Sequence, residues 1–192
     1  MRVLTSGLIA EDASDVAFLL PVLQAQLDRI GWEAEFASEQ IYVPEMTTVR
    51  SSDAVASTVT GVLEFSDLVF VHHDSREAAK IDRLRERCQA GNRVVGIIPV
   101  RETEAWVLAA ACVGASRIAE FDAKPPEKGF KWVEKVPDPK AELRRRYRGK
   151  RSAEEFFTLI AERTDLDRLA EVPAYQSFLQ DLTTALKELN FL

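Results

Sequence analysis

Cysteine is nearly absent: Cys88 and Cys112 are the only two in 192 residues. Both fall in apolar stretches that read as helical, so neither a disulfide framework nor a zinc site is expected, and a reducing compartment is. Runs long enough to cross a bilayer are absent as well. Val16 to Leu23, broken by Pro21, falls far short. Glu11 and Asp12 interrupt the N-terminal apolar stretch too early for a secretory signal. The expectation is a soluble, cytoplasmic chain with no membrane contact. Neither a GxxxxGK nor a GxGxxG loop occurs, which excludes nucleotide binding through those two phosphate cradles. An excess of positive charge is lacking too. The formal net charge is −6, whereas a nucleic-acid binder is more often basic. Internal repeats and low-complexity tracts are missing.

What is present is a 46% hydrophobic fraction, enough for a sizeable core and too much for a disordered chain. Arg2 to Ile9 reads as a strand. Ser14 to Ile30 reads as a helix, with Val16, Leu19, Leu20, Leu23 and Leu27 at three- and four-residue spacing and Gly31 as its left-handed end. Glu33 to Tyr42 is a candidate second strand, and a helix follows from Ser52 through Leu63. Asp67 to His73 and Arg93 to Val100 carry continuous apolar runs, as strands buried on both faces do. Charged and alanine-rich helices follow them, over Ser75 to Ala90 and Glu102 to Val113. The alternation predicts an α/β fold with a mostly parallel sheet flanked by helices.

Composition changes near Ala115, dividing a core (1–115) from a proline-rich segment and helical extension (116–192). Phe121 to Pro139 holds four of the eight prolines and reads as extended and partly mobile. Ser152 to Glu155 forms a capping box, and Pro173 opens a last amphipathic helix. The extension is expected to pack back on the sheet.

Open parallel sheets bind ligands beyond the carboxyl ends of their strands. Glu11, Asp12 and Asp15 follow the first strand, His72, His73 and Asp74 the third, and Arg101, Glu102 and Glu104 the fourth. Converging carboxylates would make an oxygen-rich site suited to Mg²⁺ or Mn²⁺. Each acid also has a plainer reading. Asp12, Ser14 and Asp15 suit a helix N-terminus, Asp74 could cap the next helix, and Arg101 with its acidic neighbours could form surface pairs. Successive strand residues alternate in direction, so at most one of His72 and His73 faces the site.

Six of the eight residues from Arg144 to Arg151 are basic: Arg144, Arg145, Arg146, Arg148, Lys150 and Arg151. With Tyr147 interleaved, they could hold phosphates and stack a base, dock an acidic partner, or form a solvated face.

Glu11 to Leu19 after the first strand is similar to the opening motif of Toprim-like proteins, and Phe70 to Asp74 resembles their strand bearing the D-x-D motif. Pro99 to Trp106 and Asp138-Pro139-Lys140 resemble further signatures of an uncharacterised bacterial branch related to the OLD (overcoming lysogenization defect) nucleases. The resemblance extends to Asp165 to Asp167 and Phe178-Leu179, near the C-terminus. It implies a Toprim-like fold and Mg²⁺- or Mn²⁺-dependent nuclease chemistry. Glu11 and Asp74 would be the metal ligands, and Glu11, Asp74 and the nearby Glu104 the catalytic acids. It also implies an ABC-type ATPase partner in antiviral defence against phage. Two departures stand out. Asp12 replaces the usual glycine after the glutamate, and Arg76 replaces the second D-x-D aspartate. A cation there repels a nearby metal ion, so a full two-metal site is not expected. The alternative is a catalytically degenerate binding or regulatory subunit of the ATPase.

Overall fold

A computed structural model describes residues 2–44, 52–73, 78–114, 118, 120–124 and 129–192. The strand expected over residues 2–9 is broken at Thr5 into β1 (Arg2–Leu4) and β2 (Ser6–Ile9). A polar knot sits at the break. Asp67 Oδ2 accepts hydrogen bonds from the Thr5 backbone N–H at 3.0 Å and from its hydroxyl at 2.9 Å. β1 pairs with β3 (Phe36–Ser38), β2 with β4 (Leu68–His72), and β4 with β5 (Val94–Ile97), all in parallel. A parallel bridge between Gly7 and Tyr42 joins the two sheets. Across them the order is β3, β1/β2, β4, β5.

The expected second strand thus contracts to β3 and the Tyr42 bridge, because α1 (Ala13–Ala34) runs past Gly31. Glu35, at φ 60°, takes the left-handed position instead, and its N–H bonds to the Gly31 carbonyl. Gly31 serves packing. A Cβ there would lie 2.6 Å from the Phe36 carbonyl oxygen and 3.2 Å from its ring. Its absence lets β3 fold closely back on α1.

α2 (Ser52–Leu63), α3 (Ala78–Cys88) and α4 (Glu104–Gly114) complete the alternation. Period-two side chains divide the sheet between two cores. Leu8, Leu68, Phe70, Val95 and Ile97 pack on one face with residues of α1 and α4. Ile9, Val69, Val71 and Val94 pack on the other with residues of α2 and α3. On that second face a Cβ on Gly7 or Gly96 would overlap Val62 or Ile81, so these glycines allow α2 and α3 close approach.

The chain after α4 returns to the first face through α5 (Pro139–Arg146), α6 (Ala153–Ala161), α7 (Leu166–Leu169) and α8 (Pro173–Glu188). The Ser152–Glu155 capping box opens α6, and Pro173 starts α8. Tyr175 meets Trp106 edge-on at 5.0 Å, and Phe178 lies 6.1 Å from Phe70. Residues on both sides of position 115 therefore share one core. The proline-rich segment contributes to it: Phe121, Phe130, Trp132 and Val133 are buried there, with a 3₁₀ turn at Val133–Lys135. No helix among the described residues is long and apolar enough to cross a membrane.

Two glycine-to-alanine substitutions separate packing from propensity. Gly31→Ala is expected to destabilise by about 1–3 kcal/mol through overpacking, although alanine is the better helix former. Gly61→Ala, in α2 with nothing within 4 Å of its Cβ position, is expected to stabilise by about 0.5–1 kcal/mol. Urea denaturation of both variants checks the pair. Stabilisation by Gly31→Ala would contradict the packing role.

Candidate functional site

β2 and β4 are neighbours whose onward connections diverge. β2 leads through α1 on one face to β3, and β4 leads through α3 on the other face to β5. The crevice outside the carboxyl ends of such a pair is where open α/β sheets bind ligands.

Register explains which side chains meet there. Ile9 opposes Val71. Two residues further along each strand stand Glu11 and His73, and Glu11 Oε1 lies 3.3 Å from His73 Nδ1. The Glu11 carboxylate is half exposed, and the His73 ring is largely covered. The His73 backbone N–H bonds to the Ile97 carbonyl at 3.0 Å, tying the β4 exit to β5.

His72 points to the opposite side, towards α1 and α4. Its Nε2 is joined to Thr103 Oγ1 by a hydrogen bond of 2.8 Å, and its Nδ1 lies 3.5 Å from Asp15 Oδ2. All three residues are buried. The imidazole therefore links the first turn of α1, the end of β4 and the start of α4. Asp12 and Asp15 also act as caps. Asp12 accepts from the Asp15 N–H at 3.0 Å, and Asp15 accepts from the Asp12 N–H at 3.2 Å. Burial works against the Asp12 charge. The Ser14 hydroxyl and the backbone N–H groups of Asp15 and Ser14 outweigh it, holding the carboxyl below its usual range.

Beyond the end of β5, Arg101 has a left-handed backbone (φ 78°), a strained state for a residue with a side chain. Its guanidinium bonds to the Pro137 carbonyl at 3.1 Å. Glu104 is buried and lies 3.5 Å from Lys140 Nζ in the first turn of α5. Asp138 caps that helix by accepting from the Ala141 N–H at 2.8 Å. Glu104 chiefly, then Glu102 and Asp12, hold the Lys140 ammonium above the ordinary lysine range.

The structure thus brings Glu11 to His73 and Glu104 to Lys140. Asp74 and Arg76 lie outside the described residues. Among the described residues, no three His, Cys, Asp or Glu side chains converge to hold a metal ion. Cys88 and Cys112 are free thiols, and burial pushes Cys112 up to about 11. Lys140 belongs to a motif already singled out in the sequence, but its partner is 36 positions away and no local pattern announces it.

The basic run divides. Arg145 is bidentate to Glu142 at 2.7 and 2.8 Å. Arg146 is buried, not presented to a ligand. It bonds to Glu142 at 2.7 Å and to the Lys124 carbonyl at 2.8 Å, with its guanidinium over the Trp132 ring. Arg151 pairs with Glu120 at 3.2 Å. Tyr147 stacks on Phe156 at 4.0 Å, so its ring is engaged internally. Arg144, Arg148 and Lys150 are exposed. Compared with family models, with curated proteins and with solved structures, the chain matches none of them.

Two measurements probe these contacts. Thr103→Val leaves His72 Nε2 without its hydroxyl partner and is expected to cost about 1–3 kcal/mol in chemical denaturation, with Thr103→Ser restoring most of it. An unchanged midpoint for the valine variant argues against the tie. Hydrogen bonds from Arg145, together with those from Arg146, lower the Glu142 carboxyl from 4.5 to about 2. Because the folded value is depressed, Glu142 contributes its stability above 4.5 and loses it as pH falls towards about 2. The stability gap between the native chain and Glu142→Gln should therefore narrow over that window.

Proposed function

We propose that the chain is a Toprim-like, metal-dependent phosphodiesterase that cleaves nucleic acid, working with an ABC-type ATPase in bacterial defence against phage. The observation that supports this reading is the meeting of Glu11 and His73 just beyond the carboxyl ends of the neighbouring strands β2 and β4, with Asp74 the next residue in sequence. The half-exposed Glu11 carboxylate is the hard oxygen donor that Mg²⁺ or Mn²⁺ prefers. The described residues do not complete a ligand set, and Asp74 is the second donor this reading requires. A bound ion of this kind polarises a phosphoryl oxygen. Glu104, neutralised by Lys140, would keep this edge from becoming too acidic for a polyanion. The ATPase partnership and the role in defence rest on the sequence resemblance.

The expected outcome is Mg²⁺- or Mn²⁺-dependent cleavage of DNA or RNA by the purified chain, alone or with its ATPase. Asp74→Ala and Glu11→Gln should each lower it at least a hundredfold while changing the unfolding free energy by less than about 1 kcal/mol. Undiminished cleavage by either variant overturns the assignment. The second reading, a non-catalytic ATPase subunit, is favoured by Arg76 in the D-x-D position. It predicts co-purification with the ATPase and no metal binding by calorimetry.

A further inference from the structure

Six cations between Arg144 and Arg151 look equivalent in the sequence, but the fold makes them unequal. A guanidinium already bidentate to a carboxylate, or buried beneath a ring, has few counterions to release to a polyanion. Arg145 is bidentate to Glu142 and Arg146 is buried over Trp132, while the half-exposed Arg151 makes a single 3.2 Å contact with Glu120. Arg144, Arg148 and Lys150 remain exposed. Arg144 stands one helical step, about 6 Å, beyond Lys140 on the same side of α5. Lys140 in turn faces Glu104 at the strand-end edge. Beyond α5 the chain turns away through Tyr147, and Arg148 and Lys150 flank Gly149. A Cβ on Gly149 would overlap the Tyr147 ring, so the glycine brings this segment close against the tyrosine.

We propose that Arg144, Arg148 and Lys150 form a track for the phosphodiester backbone of nucleic acid, leading away from Lys140 at the candidate site. The track reads charge and not base identity. Tyr147, the aromatic within the run, is stacked on Phe156, and its hydroxyl accepts the Arg151 N–H at 3.1 Å. The assignment of a cleavage site at one end of the track rests on the function proposed above; the binding surface does not.

The test is fluorescence anisotropy of the full chain with labelled single-stranded DNA, single-stranded RNA and duplex DNA across a salt series. With three free cations, the slope of log K against log salt is expected to be about −2 for single strands and nearer −3 for duplex. Arg144→Ala and Arg148→Ala should each reduce that slope by about 1, uniformly across sequences. Arg145→Ala, and Arg83→Ala on α3 across the sheet, should change it much less. Equal slopes for all four variants, or no binding at low salt, overturns the track. Binding of polyglutamate as tightly as the oligonucleotides also overturns it, and favours an acidic protein partner. Mn²⁺-dependent hydrolysis of bis(4-nitrophenyl) phosphate, with Glu11→Gln as control, reports on the catalytic reading without involving the track. Either can therefore fail alone.

Discussion

Five consecutive residues of β4, Leu68 to His72, have almost no contact with water, because helices cover the sheet on both faces. For four of them this is favourable, since each apolar side chain removed from water contributes about 1.5–3 kcal/mol. For His72 it imposes a demand. A buried polar ring without partners would cost several kcal/mol, of the order of what a well-packed leucine contributes. Thr103 from the β5–α4 loop meets the demand at Nε2 with a hydrogen bond of 2.8 Å, and Asp15 from the first turn of α1 stands 3.5 Å from Nδ1. The same contacts hold in common register the three chain segments that surround the candidate site. A core requirement therefore sets the geometry of the edge where chemistry can occur.

The next residue shows the consequence of alternation. His73 leaves the sheet on the side opposite to His72, and Glu11 leaves β2 on that same side. Their contact depends on the parallel register of Ile9 with Val71 and on neither residue's local sequence. A shift of one residue in that pairing would send Glu11 to the wrong face. Asp67 bears on the register from the other end, because its hydrogen bonds with Thr5 clamp the start of β4 beside the break between β1 and β2.

The strand–helix alternation was readable because its signals are local: continuous apolar runs for β4 and β5, three- and four-residue spacing for α1, and a capping box for α6. Gly31 misleads for a physical reason. A glycine near a helix end suits either a left-handed cap or a close approach, and only the position of Phe36 distinguishes them. His72 and His73 were separable by alternation, but which of them would be buried required knowing where α1 and α4 lie. Arg145 and Arg146 left a usable trace, since Glu142 precedes them by three and four positions on one helix. Arg151 with Glu120 and Lys140 with Glu104 left none, because those pairs form only once the chain after α4 packs back.

The net charge of −6 would ordinarily weigh against a polyanion ligand. It weighs less once charge is counted by position. In physiological salt, exposed charges more than about 8 Å apart are largely screened from each other. Acids on the far side of the sheet therefore have little influence on a phosphate beside α5. What such a phosphate meets is the local balance, in which Glu142 is consumed by two arginines and Glu120 by a third. Three exposed cations are left over at that surface. Internal pairing reduces the number of free positive charges and also offsets Glu142 and Glu120, while Glu154, Glu155 and Glu162 remain in the groove beside Arg151. An acidic chain can in this way carry a short basic surface whose strength depends on the arrangement of pairs and not on the total.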